Sequence, residues 1–374
     1  VKVDLSILDG SNSFMVHPHQ VAGETVLLVQ PTHIGAVWTP ETLIFRSSVW
    51  NLQGEPVSLS YKKFFNWGEQ PGLCAPPPSL TNAILMEKID GSALIFSRYK
   101  GTTVIRTRGT TNARLQENGH EIDILCQKYS KFISFLEKWK TSPCSYIFEW
   151  VSPTNRIVIN YGDEPDMYLT GIIEHDRYRL FLQAQLDFMA EKYDLRRPQT
   201  YHYNSIEEMQ QAVTDFRGKE GVCVYFHADQ EILKFKGAQY LFLHRAKSEI
   251  ASIEKVIDLY LDVFFNSGST IPPTYVEFMD YLTKTFDYEI AQMAIPNVSQ
   301  ICDAMKEVNT ILTHMIMVVG SVSPLKGISR RDAAAKIFQA YGTTNRTSFC
   351  FKLLDGKSLQ AEDYKKLLFQ VLKQ

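Results

Sequence analysis

Residues 88–92 read Lys88-Ile89-Asp90-Gly91-Ser92, and the largely apolar run at 93–99 that follows predicts a strand. A lysine at this junction sits at the edge of a rigid sheet. Its amine attacks phosphorus only when neutral, so it needs burial or neighbouring positive charge that lowers its pKa. Gly91 allows close approach of the backbone to a bound group. By itself the string also fits an ordinary turn before a strand.

Working outward, further charged positions follow in order. Upstream are Arg46 and Tyr61-Lys62-Lys63-Phe64-Phe65-Asn66; downstream are Arg106-Thr107-Arg108-Gly109, Phe148-Glu149, and Pro153-Thr154-Asn155-Arg156-Ile157-Val158. Glu220-Gly221 and Lys234-Phe235-Lys236 close the series. Several of these lie inside otherwise apolar stretches. Lys234 and Lys236 are two apart and share one face of a strand. Such a pair suits a triphosphate, and equally a solvated face of an antiparallel strand.

The pattern predicts an α+β region at 1–244, built on antiparallel sheets. Strands are expected at 93–99, 103–107, 146–150, 156–161, 168–174, 222–227 and 232–236. The last two flank Ala228-Asp229-Gln230, a hairpin-length connection. Helices are expected at 123–138, with Ile124, Tyr129, Ile133 and Leu136 on one face, and at 206–215. After about residue 245 the period becomes helical. Ile253, Val256, Ile257, Tyr260 and Phe264 recur at helix spacing, as do Ile301, Met305, Val308, Leu312 and Met315. Tyr364, Leu367, Leu368, Val371 and Leu372 repeat the pattern behind Ser358 as a cap. A second, all-helical domain at 245–374 is expected, with breaks at 271–273, 320–327 and 342–344.

Of the 374 residues, 45% are apolar and 21% charged, which describes a soluble globular chain. The net charge of −2 gives no global attraction to nucleic acid, so any phosphate site must be a local cluster of cations. The six cysteines are scattered without zinc or disulfide spacing, which fits a reducing compartment. No signal peptide is expected from the first twenty residues, and the apolar stretch at 311–319 is too short for a membrane span. His17-Pro18-His19 lacks further ligands and reads as a loop. Arg330-Arg331 reads as a solvated helix start.

From about residue 40 to 240 the chain resembles the covalent nucleotidyltransferases, and among them the ATP-dependent RNA ligase 1 family of tailed phages. The most specific pieces are residues 61–66, Lys88 to Ser92, and Phe148-Glu149 through Val158. The resemblance implies an N-terminal nucleotidyltransferase domain in which Lys88 takes AMP from ATP as a lysyl–AMP intermediate. Asp90 and Gly91 complete the nucleophile motif. Glu87 would accept from the adenine amino group and Glu149 would contact the ribose. Arg46, Lys63, Lys234 and Lys236 would bind the phosphates, Glu220 would organise Mg2+, for which Mn2+ can substitute, and Tyr240 also matches. Ser47-Ser48 stands where the family carries glycine after the arginine, and Arg106 and Arg108 stand where it commonly has lysines.

The implied reaction joins RNA 5′-phosphate and 3′-hydroxyl ends, with repair of nicked tRNA among the roles. The helical region would choose the RNA. A monomer in the cytoplasm, that of the host for a phage-encoded protein, with no membrane partner, is the expectation. A DNA ligase or capping guanylyltransferase would instead need an oligonucleotide-binding barrel after Lys236. A noncatalytic RNA-binding relative is the alternative of another class.

Overall fold

The structure, a computed structural model, describes residues 1–32, 36–285, 288–322 and 327–373. The chain divides into two compact units, Val1–Phe242 and Leu243–Gln374.

In the first unit β1 (Phe14–Val21), β2 (Glu24–Pro31), β3 (Ser48–Asn51) and β4 (Pro56–Ser58) form an antiparallel sheet in chain order. Next come β5 (Phe65–Asn66), β6 (Ile84–Lys88), β7 (Ser92–Tyr99) and β8 (Thr102–Arg106). Helices α1 (Glu121–Lys128) and α2 (Ser130–Leu136) precede β9 (Cys144–Val151), β10 (Asp166–Glu174) and β11 (Arg179–Leu180). Then α3 (Gln183–Tyr193), β12 (Thr200–Tyr201) and α4 (Ile206–Thr214) lead to the hairpin of β13 (Gly221–Phe226) and β14 (Glu231–Lys236). These strands make two five-stranded sheets, ordered β11-β10-β9-β7-β8 and β12-β6-β13-β14-β5.

Alternation along the strands places three cores. Met86, Cys223, Tyr225 and Ile232 of one sheet meet Ile95, Ile147 and Ile173 of the other, so the sheets pack face to face. Behind the β9 sheet, Leu94, Phe96, Phe148 and Leu169 pack on Ile122, Leu125, Phe132, Leu136 and Leu186 of α1 to α3. Behind β13, Val222, Val224 and Leu233 pack on Met209 and Val213 of α4. Burial on both faces explains why residues 221–226 read as one continuous apolar run.

Several expectations are corrected. Residues 156–161 form no strand. Val158 and Ile159 turn their backbone N–H groups onto the Asp90 carboxylate at 2.7 and 2.9 Å, which removes them from any ladder. The helix expected at 123–138 breaks at Tyr129, whose ψ of 36° is not helical. Its buried face is Ile122, Leu125, Tyr129, Phe132 and Leu136, while Ile124 is 44% exposed. The sheets are not wholly antiparallel, because β5 runs parallel to β14. The first sheet escaped the sequence pattern altogether: His17 and His19 interrupt the apolar alternation of β1, and the short strands β3 and β4 follow a long connection.

Helix α5 (Ala238–Ala251) contains the boundary between the units. The described elements of the second unit are α6 (Ile253–Asn266), α7 (Tyr275–Thr285), α8 (Tyr288–Met293), α9 (Ile295–Ser321), α10 (Arg330–Tyr341), α11 (Asn345–Leu354) and α12 (Ala361–Leu372). Val298, Ile301, Met305, Val308, Leu312 and Met315 form the buried stripe of α9, spaced by three and four residues. Leu367 and Leu368 of α12 join that core. Gln360, not Ser358, caps α12, its N–H donating to Asp363 at 3.0 Å. Of the break expected at 320–327, residues 323–326 lie outside the described residues. No described helix is long and apolar enough to cross a membrane.

Candidate active site

Register decides the site. Gly221 of β13 pairs with Lys88 of β6 on one side and with Lys236 of β14 on the other. Antiparallel partners share a face, so the two lysines flank one position that carries no side chain. Gly221 has φ +155°, and a Cβ there would lie 2.1 Å from the Phe235 carbonyl oxygen, so only glycine fits. Glu220, immediately before it, is buried and spans both lysines: Lys88 Nζ lies 2.7 Å from Oε2 and Lys236 Nζ 2.9 Å from Oε1. Burial opposes the Lys88 charge, but the Glu220 carboxylate, with Cys223 and Glu149, outweighs it and holds the pKa above the usual lysine value. The prospective nucleophile is therefore a paired cation, not the neutral amine that the sequence argument required.

Lys234 lies on the same face as Lys236. Its Nζ is 5.4 Å from the Phe64 ring centroid, and the Arg46 guanidinium is 4.6 Å from the same centroid. Lys63 Nζ lies 5.1 Å from the Phe65 ring. Arg46, Lys63 and Lys234 have no carboxylate within ion-pair distance among the described residues, so their charges add. Burial, then Arg46, Lys63, Lys236 and Lys88, push the Lys234 pKa down to about 8. Burial and Arg108 lower Arg46 as well, and burial with Arg46 and Arg108 lowers Lys63. Arg108 thus belongs to the cluster. Cations crowded together without counter-charge are poised for a polyanion.

Arg106 does not face this cluster. It is fully buried between β8, β4 and the turn after Arg46, and burial pulls its pKa to about 9, still a cation at neutral pH. The charge retained on replacing the family's lysine is therefore spent inside the fold.

Glu149 projects from β9 toward the same cleft, on the face it shares with Ile147. It accepts from the Gly91 N–H at 3.3 Å. Burial raises its pKa to about 7; the Glu220 charge pushes the same way, while Lys88, the Gly91 amide and Arg46 oppose.

Asp90 and Gly91 are both held within the fold. Asp90 is buried and accepts from Tyr240 Oη at 2.7 Å in addition to the two amides of the 156–161 loop, and its own N–H donates to Tyr161 Oη at 2.9 Å. It braces the lysine from behind. Tyr240 is likewise a brace at its hydroxyl, with Lys236 Nζ 5.1 Å from its ring. A Cβ on Gly91 would meet the Trp150 carbonyl oxygen at 2.2 Å, so its small size serves packing against β9. Asn155 completes the bracket: Ser92 Oγ donates to its Oδ1 at 2.9 Å, and its Nδ2 donates to the Trp150 carbonyl at 2.7 Å. This is the physical content of the string at 153–158.

Glu87 stands apart. Adjacent to Lys88 on β6, it points to the opposite face, where Tyr201 Oη donates at 3.3 Å and Lys219 Nζ lies 3.6 Å away. Sequence reasoning missed Lys219 and Tyr201, along with buried Glu121, which accepts from Trp150 Nε1 at 2.9 Å. No spacing signal pointed to them, because their partners lie far away in the chain.

A family model described as RNA ligase matches residues 43–250, more than half of the chain and all the residues above. The chain belongs to this RNA ligase family. An RNA ligase of Rhodothermus phage RM378 is 28% identical over 265 residues, covering 55% of this chain and 60% of the relative. A protein of Autographa californica nuclear polyhedrosis virus, named as a bifunctional polynucleotide kinase/RNA ligase, is 24% identical over 225 residues, covering 55% of this chain and 31% of the relative. The chain therefore spans about three fifths and a third, respectively, of the lengths of these relatives. An archaeal ATP-dependent RNA ligase structure aligns over 95% of this chain and 96% of its own, at 13% identity and a TM-score of 0.43. At that score the likeness decides nothing. What assigns the family is the family match, and Lys88, Glu149, Glu220, Lys234 and Lys236 all fall within it.

Proposed function

We propose that this chain is an ATP-dependent RNA ligase that works through a lysyl–AMP on Lys88. The observation that carries the reading is the triad of register partners: Lys88 and Lys236 flank Gly221, and Glu220 holds both. In the first step the Lys88 ammonium gives up a proton to solvent, the neutral Nζ forms a bond to the α-phosphorus of ATP, the bond from that phosphorus to the pyrophosphate oxygen breaks, and Nζ releases a second proton to solvent. Lys234, Lys236, Arg46 and Lys63 hold the phosphates and offset the charge that builds on the transferring group. Glu149 takes the ribose. Glu87, on the opposite face of β6 and held by Tyr201 and Lys219, is left out of this nucleotide pocket. AMP then passes to an RNA 5′-phosphate, and a 3′-hydroxyl displaces it.

The residues fit a hydrated divalent ion. Among the described residues no cluster of three or more His, Cys, Asp or Glu exists. Mg2+ keeps most of its water and needs only one or two carboxylates beside substrate phosphates, and Glu220 supplies one, with Mn2+ as the substitute. When bound, the ion offsets phosphate charge.

The second unit is proposed as an all-helical module that selects the RNA, with tRNA nicked in its anticodon loop as the substrate and a monomer as the working form. Beyond Lys236 the described elements are helices, which favours this over a DNA ligase or capping enzyme with a β-barrel there. The test is transfer of label from α-labelled ATP to the protein, followed by joining of RNA and DNA ends. Wild type should take label and Lys88→Ala none; label on Lys88→Ala, or from GTP alone, would sink the reading.

A further inference from the structure

Arg106 donates through every N–H of its guanidinium: Nε to Ser58 Oγ at 2.7 Å, Nη1 to Ser47 Oγ at 2.8 Å and to the Thr107 carbonyl at 3.1 Å, Nη2 to the Ser47 and Ser58 carbonyls at 3.1 Å each. No carboxylate pairs with it among the described residues. A lysine ammonium has three donors and no fork, so it cannot make this set. The acceptors are placed tellingly. Ser47 directly follows Arg46, and Thr107 directly precedes Arg108. Ser47 Oγ also donates to the Arg108 carbonyl at 3.0 Å, joining the two segments across a long stretch of sequence.

We propose that Arg106 is a positioning residue that sets where Arg46 and Arg108 meet a polyphosphate, by gripping the backbone beside each of them. Serine in place of glycine after Arg46 and arginine in place of lysine at 106 are then two halves of one bracket. A glycine at 47 offers Arg106 no hydroxyl, and a lysine at 106 cannot reach all the acceptors that Ser47 and Ser58 present. The bracket acts on chain segments, and Arg106 itself touches no substrate. This inference rests on the phosphate-binding reading of the cation cluster.

The test measures binding of inorganic tripolyphosphate to the full chain by calorimetry, beside the melting temperature. Arg106→Lys and Ser47→Ala should each weaken binding on the order of tenfold, since small misplacements of charged groups are costly. Ser142→Ala is the control for plain loss of stability. It removes the Ser142 hydroxyl that accepts from the Arg98 N–H and donates to the Cys144 carbonyl, at 2.8 Å each, in the β9 sheet away from the arginines. It should melt lower yet bind within about twofold of wild type. Wild-type affinity in both Arg106→Lys and Ser47→Ala, or no tripolyphosphate binding by wild type, overturns the proposal. If Arg106→Lys does not fold, Ser47→Ala decides. Label transfer from ATP is scored separately: its failure in wild type would end the lysyl–AMP reading, while the tripolyphosphate affinities would still judge Arg106.

Discussion

Lys88 Nζ sits 2.7 Å from Glu220 Oε2, and this pairing favours the protonated amine of the proposed nucleophile. In the proposed mechanism Glu220 is both the restraint on Lys88 and the group whose release of it precedes attack. Glu220→Gln should lower the self-adenylation rate about a hundredfold, because the amide presents an N–H to one of the two ammonium groups. It should also cost about 1–3 kcal/mol in a denaturant melt, a modest figure because both lysines are partly solvated. A faster reaction than wild type would mean that Glu220 only restrains the lysine.

Lys234 titrates in a useful window. Its pKa, pushed down to about 8 by burial and four neighbouring cations, means that its charge disappears as pH rises through 8. Affinity for α,β-methylene ATP, which cannot be adenylated, should fall between pH 7 and 9 in wild type. Lys234→Arg should flatten that fall, because a guanidinium stays protonated throughout. Parallel profiles for the two proteins would remove Lys234 from phosphate binding.

Glu149 bears on stability. Its folded pKa of about 7 lies above the ordinary value of 4.5, so between those limits the folded chain keeps a proton that the unfolded chain releases. Its contribution is fully present below about 4.5 and is lost as pH rises through 7. Glu149→Gln, which imitates the protonated form, should therefore melt roughly 2–4 °C above wild type at pH 8, and the gap should shrink toward pH 5.5. An equal gap at both pH values would mean that charge burial is not the cause.

Asp90 and Tyr240 form a coupled pair. Tyr240→Phe removes the 2.7 Å bond and should cost about 1–2 kcal/mol. Asp90→Ala strips the acceptor from Tyr240, Val158 and Ile159 together and should cost about 2–4 kcal/mol. A double-mutant cycle should return a coupling of roughly 1–3 kcal/mol. Additive effects would show that the two residues brace the site independently.

Local spacing made much of this protein legible. Runs of β-branched and aromatic residues announced β13 and β14, and two-residue spacing put Lys234 and Lys236 on one face, while the spacing of three and four announced α6, α9 and α12. The order of charges around Lys88, with the string at 153–158, pointed to the family. Among the elements that escaped were β1 to β4, β6, α3 and α7, the two-residue strands β5, β11 and β12, and the break of the helix at Tyr129.

What the sequence by itself determined was the order of charged positions around Lys88 and the period of the strands and helices bearing them, because side-chain direction repeats locally along the chain. Which groups meet was left to the tertiary structure. Glu220 joins Lys88 across 132 positions beside the β6–β13 ladder, and Asp90 joins Tyr240 of α5 across 150; ladder register and helix packing set such meetings, not spacing. The charge state of Lys88 follows from that distance to Glu220, as the inward turn of Arg106 follows from Ser47 and Ser58, since electrostatic interaction depends on separation in space and on burial.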